Sequence, residues 1–481
     1  MPRSFRTLFA ASLTAIATAL AGCPFPTGAL GPPTVGTLLQ SDPNAHLLGL
    51  AGNGSVDIPL INGLGALVAF VSQNSNPGQL TVGIRPRNFE LRLRRMESHL
   101  RTLKASRYRL AAVPQVAVGT RQSFWVIADD NSSQDQEQAI TATAAYVGSH
   151  CYVFVDNQLN AGGIASRIAD MGRTFDQKIF PTDAGLFGAP LATGVNGDPR
   201  ITLLVTPVVG NYGRDTTIGY FTARDLYPPS ADPGDPLLKH SNQRLMLYIS
   251  SSVVSDGEPT DYLGTIAHEF QHLINASQRL FGNPPAQTED TWLDEGLAMY
   301  AMEANGYGLK GGGSVVFDHV AAFEAQPASY SLTNWDVDPD QDAYGAAYLF
   351  TTYLADRFTP AILHELVRGP QTGVANVQAR LAERGMSFSQ VFADWCAANM
   401  LDHTGASTDP RYNYRSLSLL GTYGGQSLSG VALSPVSVPN TGRLTMLPYS
   451  AQYFYVPRGQ NGDFAFSLAG GGQFGGWVLV P

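Results

Sequence analysis

Residues 268–272 read His268-Glu269-Phe270-Gln271-His272, and a further acidic residue, Glu295, lies downstream. On a helix, residues four apart share a face, with Cβ atoms about 5–6 Å apart. Two imidazoles on that spacing reach one zinc ion at about 2.0–2.1 Å. Glu269 stands one residue past the first imidazole and approaches the same point from the side, as the candidate base for a zinc-bound water. The pattern points to metal-assisted hydrolysis, most often of a peptide bond. Leu263, Ile266, Phe270, Leu273 and Ile274 give the segment an apolar helical stripe, and Pro259 stands where a helix can begin. This context favours a metal site over a helix that carries two histidines by accident.

A catalytic zinc takes three protein ligands and keeps one position open. The stretch Trp292-Leu293-Asp294-Glu295-Gly296-Leu297-Ala298-Met299-Tyr300 reads as a second helix, with Thr288 or Thr291 as its cap and Gly306 as its end. Glu295 is the candidate third ligand. Spacing alone leaves Asp294 and Glu289 open as alternatives.

The pieces HEFQHLINA (268–276) and WLDEGLAMYAME (292–303) resemble zinc metallopeptidases of the gluzincin type, and within them the hyicolysin family of secreted bacterial peptidases. FWV (124–126), SHCYVFVD (149–156), GYFTARDLYP (219–228) and DAYGAAYLFTTYLADRF (342–358) agree, so the resemblance covers roughly residues 120–400. It implies that His268, His272 and Glu295 hold one Zn2+ per chain and that Glu269 is catalytic. It also implies an acidic partner behind one of the histidines. Thermolysin-like enzymes place that residue four positions after the third ligand, where this chain has Met299; Asp294 and Glu303 are the substitutes on offer. Tyr344, and after it Tyr348, are the candidate donors to the oxyanion, since their segment resembles the family stretch that faces the cleft. The implied fold is α+β: a mixed β-sheet N-terminal lobe and a helical C-terminal lobe with zinc in the cleft, flanked by small β modules.

The chain has 481 residues, more than one core usually holds. Its net charge of −9 speaks against nucleic acid as a partner. Charge is nonetheless uneven: residues 85–109 carry Arg85, Arg87, Arg92, Arg94, Arg95, Arg101, Lys104, Arg107 and Arg109 against Glu90 and Glu97. Such a stretch either meets anionic lipid or cell wall, or is a solvated helix packed on an acidic domain; the second reading is preferred.

At the N-terminus, Arg3 and Arg6 precede an apolar run from Leu8 to Leu20, too short to span a bilayer as a mature helix. It ends in Leu20-Ala21-Gly22-Cys23, which resembles the bacterial lipoprotein cleavage box. The expectation is cleavage before Cys23, lipid on its sulfur, and a membrane anchor at the bacterial cell envelope; an ordinary secretory signal would release the chain instead. The Pro/Gly-rich residues 24–36 would form a flexible tether. Cys151 and Cys396 then remain as a pair, and an exported chain can join them in a disulfide. The alternative is two free buried thiols.

Along the chain, strand-like runs at 67–71 and 80–84 flank the Asn-Pro-Gly turn at 76–78 as a hairpin of a small β module, and runs at 124–128, 152–155, 201–205 and 245–249 give a sheet of four or five strands ahead of the histidine helix. Helical periods fall at 89–104, 161–179, 315–325, 342–357, 360–368, 372–384 and 388–400, and β-prone runs return after 441. The Asn/Asp/Gly segment 194–198 reads as a plain turn rather than a calcium loop. The expected divisions are a signal peptide (1–22), a lipidated tether (23–36), an N-terminal β/helix module (37–120), a gluzincin-like domain (121–403) and a C-terminal β module (404–481). The expected function is zinc-dependent endopeptidase action on protein or peptide outside the cytoplasm. Two other readings share the same residues: a surface-anchored binding or structural lipoprotein with a vestigial zinc site, and a zinc amidase acting on cell-wall amides.

Overall fold

In the computed structural model the described residues are 45–51, 54–60, 66–72, 89–100, 103, 116–128, 136–210, 217–282, 286–335, 343–405, 407, 409–435, 446–456, 462–468 and 473–479. The signal and tether segments, Cys23 and the strand expected at 80–84 lie outside them. Strands β1 (Ala45–Ala51), β2 (Gly54–Leu60) and β3 (Ala66–Ser72) come first, followed by helix α1 (Phe89–Leu100). Next come β4 (Arg121–Ala128), β5 (Gln136–Val147), β6 (Cys151–Asp156), α2 (Ala165–Thr174), α3 (Phe180–Phe187), β7 (Ile201–Thr206), β8 (Gly219–Tyr220) and β9 (Met246–Ser250). Helices α4 (Ser251–Asp256), α5 (Pro259–Leu280), α6 (Thr291–Ala304), α7 (Ser314–Ala325), α8 (Ala343–Phe358), α9 (Ala361–Val367), α10 (Gly373–Ala382) and α11 (Phe388–Leu401) follow. Short strands β10 (Thr422–Tyr423), β11 (Gln426–Ser427) and β12 (Ser434–Pro435) then precede β13 (Ala451–Val456), β14 (Gly462–Leu468) and β15 (Gln473–Leu479). The chain is α+β, with a mixed sheet and a helical region.

It folds as two compact units. One takes residues 85–317 and 360–376; the other takes the described residues before 85 together with 318–359 and 377–481. The first unit is built on a six-stranded sheet in the order β4-β5-β6-β7-β9-β8. Its centre is parallel: Cys151 is in register with Ile201, and Thr202 with Met246. Every residue of β6, β7 and β9 is buried, which is why these strands read as unbroken apolar runs rather than alternating ones. The flanking pairs β4·β5, β5·β6 and β8·β9 are antiparallel. The sequence reading missed β5 and the two-residue β8. Segment 194–198 is the turn expected, with Gly197 at φ 80° and its N–H donating to the Gly194 carbonyl at 2.9 Å.

Helix α5 lies against β8 and β9 and along α6. Pro259 is its first residue, where the missing N–H is no loss. A capping box between Glu258 and Asp261 satisfies the first free donors. Phe270, wholly buried, meets Phe175 edge-on at 5.1 Å and stacks on Phe180 at 5.5 Å. Burying one such ring contributes about 1.5–3 kcal/mol. It also locks the rotation of α5 that aims His268 and His272.

In the other unit, β1-β15-β3-β13-β12 form a five-stranded sheet and β14·β2 a pair. Strands from the two ends of the chain, read from sequence as parts of separate modules, thus lie side by side. Among the described residues no helix is long and apolar enough to cross a membrane.

The disulfide expected between Cys151 and Cys396 does not form: both are free thiols. Each is fully buried within its own unit, Cys151 on β6 and Cys396 on α11. The Cys151 Sγ donates to the Gly172 carbonyl at 3.6 Å. Burial raises the pKa of both thiols.

Candidate metal centre

Helix α5 brings the imidazoles of His268 and His272 to one point, their Nε2 atoms 3.1 Å apart and their rings nearly perpendicular at 82°. Helix α6 supplies the third corner. Glu295 Oε2 lies 3.2 Å from His268 Nε2 and 3.4 Å from His272 Nε2. These are the three residues able to share a metal ion among those described. The distances test the donor set. Ligands about 2.0–2.1 Å from a tetrahedral ion stand about 3.3–3.4 Å from each other. The three atoms already form a triangle of nearly that size, so the residues fit a single zinc ion with one face open. Glu295 and His272 are fully buried, while His268 keeps partial exposure. Burial opposes ionisation of Glu295, but the two imidazoles outweigh it and hold its carboxyl well below the usual range.

Of the alternatives to Glu295, Glu289 is engaged elsewhere. It accepts from Gly373 N at 2.6 Å and Asn376 Nδ2 at 2.8 Å and pairs with Arg279 at 3.1 Å. Asp294 sits behind the site: its Oδ2 lies 3.1 Å from His272 Nδ1. It is the acidic partner that the sequence left between Asp294 and Glu303. A carboxylate on Nδ1 fixes the ring and leaves Nε2 free for a ligand. Asn275, one turn beyond Gln271, donates to the same Asp294 carboxylate. Glu303 holds the following turn instead, pairing with Lys310 at 3.4 Å.

Glu269 is buried, and among the described residues its Oε2 has no hydrogen-bond partner. Burial raises its carboxyl pKa against the pull of His268 and His272. A buried, unpartnered carboxylate oxygen beside the ligand triangle is what a proton acceptor requires.

Tyr344 and Tyr348 lie on α8, in the other compact unit, and both are buried. The Tyr344 ring packs against His319 at 5.0 Å and against Trp335 at 4.8 Å. His240 stacks on Trp125 at 3.6 Å and pairs with Glu137, away from any ligand role.

One participant escaped the sequence reading. The basic stretch was expected to be a solvated helix packed on an acidic domain; on α1 the residues Leu93, Arg94, Met96, Glu97 and Leu100 are buried. Arg94 Nη1 lies 3.0 Å from both Glu97 Oε1 and Asp294 Oδ2, and its Nε lies 3.8 Å from Glu295 Oε1. Burial pushes the Glu97 carboxyl up to about 7, against the pull of Arg94. The excess of arginine in 85–109 was the visible signal. Which arginine turns inward was not visible.

The chain is 29% identical over 239 residues to the neutral metalloprotease ShpI of Staphylococcus hyicus. Over that stretch the chain is similar to a metalloprotease. The match takes in 47% of this chain, which spans about half the length of that curated relative (49%). No protein-family model matches the chain. The resemblance to hyicolysin-type peptidases read from the two motif segments is thereby borne out.

Proposed function

We propose that the protein is a zinc-dependent endopeptidase that cleaves protein or peptide chains outside the cytoplasm. The observation that carries this reading is the donor triangle of His268 Nε2, His272 Nε2 and Glu295 Oε2, with sides of 3.1, 3.2 and 3.4 Å. A zinc ion bound there would supply Lewis acidity, polarising the scissile carbonyl and making water acidic enough to attack at neutral pH. The chain's own residues do the rest. Asp294 fixes the His272 ring from behind. Glu269 takes a proton from the attacking water at its unpartnered Oε2 and delivers it to the leaving nitrogen. Burial raises its pKa and so strengthens it as the acceptor of that proton. Tyr344, with Tyr348 as the second choice, is the proposed donor to the oxyanion, and Tyr344→Phe should lower kcat more than it changes KM. Export and lipid attachment at Cys23 belong to the same proposal, supported by the Leu20-Ala21-Gly22-Cys23 box.

The test is Glu269→Gln. The variant should bind one zinc per chain like the parent and lose about 10²–10⁴-fold in casein turnover. His272→Ala should lose both metal and activity. Parent-like casein cleavage by Glu269→Gln removes the base assignment. A parent protein that binds zinc but cleaves no peptide bond points to the vestigial-site or cell-wall amidase reading, which a peptidoglycan-fragment assay then separates.

A further inference from the structure

We propose that Arg94 is a positioning residue of the metal centre, and that α1 is therefore part of the working protein rather than a segment removed to activate it. The inference rests on the metal-site reading above but not on peptidase activity. The geometry is specific. Glu295 presents Oε2 to the imidazoles and Oε1 to Arg94 Nε, 3.8 Å away. At that distance the guanidinium acts on the carboxylate through its charge. Asp294 Oδ2 is shared between Arg94 Nη1 at 3.0 Å and His272 Nδ1 at 3.1 Å. The line Arg94–Asp294–His272 thus sets the orientation of a ligand imidazole from a helix outside the motif.

Charge gives a second reason. Glu97, Asp294 and Glu295 are buried together, and among the described residues Arg94, itself buried, is the cation that reaches all three. Removing one partner from such a cluster leaves uncompensated buried charge. Only a planar fork spans three carboxylates at once; a lysine offers one point charge. The helix is also built to stay. Phe89 meets the buried Tyr220 ring edge-on at 5.4 Å, and Met96 Sδ accepts from Thr222 Oγ1 at 3.6 Å. Both partners lie in the unit that carries the ligands.

The experiment uses the full chain. Apparent zinc affinity is measured by chelator competition for the parent, Arg94→Ala and Arg94→Lys, with His99→Gln, an exposed change on the same helix, as control. Arg94→Ala should bind zinc about 10–100-fold more weakly, the usual effect of losing an outer partner of a metal ligand. Arg94→Lys, the milder change if the alanine variant does not fold, should also bind more weakly, and His99→Gln should match the parent. Parent-like affinity in either folded arginine variant overturns the proposal. A parent that binds no zinc instead overturns the metal-site reading itself. Independently, mass spectrometry of the zinc-loaded protein from a producing cell should find residues 89–100 still present. A zinc-loaded species that lacks them sinks the proposal.

Discussion

Asp294 and Glu295 are neighbours on α6, yet one faces the metal position and the other supports a histidine from behind. A helix turns about 100° per residue, so adjacent carboxylates address different sides of the same imidazole. The histidine pair was legible because it is local chemistry at fixed helical spacing, whereas spacing alone left the third candidate open among Glu295, Asp294 and Glu289. The role of Arg94 was not legible, because it depends on which face of a distant helix is buried. A second buried acid gives a test at this scale. Asp183 lies fully buried near the end of α6, where Asn305 Nδ2 donates to its Oδ1 at 2.6 Å. Burial holds its pKa well above the ordinary value, against the effect of that hydrogen bond. The folded state therefore binds this proton more tightly than the unfolded chain, whose aspartates titrate near about 3.9. Its contribution to stability is present at low pH and declines as pH rises above that value. Asp183→Asn removes the decline while keeping an acceptor for Asn305. At pH 8 it should melt above the parent by on the order of a few degrees, and the gap should narrow at pH 5, as followed by thermal denaturation. An equal or larger gap at pH 5 contradicts this account.

Helices α5 and α6 must approach closely for two histidines and one glutamate to meet, and Gly264 is where they do so. A Cβ there would lie 2.9 Å from Met302 Cε and 3.3 Å from Tyr307 Cβ. Gly264 is one turn before His268, so pressure at this point bears on the ligand triangle. Gly264→Val should cost about 1–3 kcal/mol in thermal unfolding and weaken zinc binding in the same chelator competition. Gly264→Ala should do less, since the end of the Met302 side chain can swing aside. A valine variant with unchanged melting and metal affinity would mean the contact is slack. Helix limits were readable where a residue has a backbone reason: Pro259 opens α5, and Gly306, at φ 71°, follows α6 in the left-handed conformation. Strand β5 was not readable. Its sequence, QEQAITATAAYV, is short of large apolar side chains. Only pairing with β4 and β6 makes Ile140, Ala142 and Ala144 a buried face.

At the scale of the whole molecule, the five-stranded sheet joins strands far apart in sequence, β1 and β3 with β12, β13 and β15. Leu47 is in register with Trp477, and Val68 with both Phe454 and Val478. A chain ending at Ser450 loses β13, β14 and β15, and with them the described partners of β1, β2, β3 and β12. Unpaired strand edges are templates for aggregation. This truncation should give protein that elutes as aggregate on size exclusion and binds the dye ANS. A monomeric truncation with the parent's melting temperature would show that the sheet is dispensable. The sequence identified the runs β3 and β13 as strands, because alternation and β-branched residues mark a pleated surface. It could not pair them, since alternation specifies which face is buried and not which strand lies alongside.

By itself the sequence pointed to the candidate chemistry: a His-Glu-x-x-His helix, a following helix with a carboxylate, and apolar runs that read as strands of a sheet. These are properties of neighbours in the chain, and helical or strand spacing converts them directly into geometry. Tertiary structure alone decided that Arg94 turns inward, that Asp294 rather than Glu303 backs His272, that Cys151 and Cys396 are buried free thiols, and that β1 and β15 share one sheet. Each of those outcomes turns on which distant surfaces meet, a choice made by the packing of whole elements and invisible in any local run of residues.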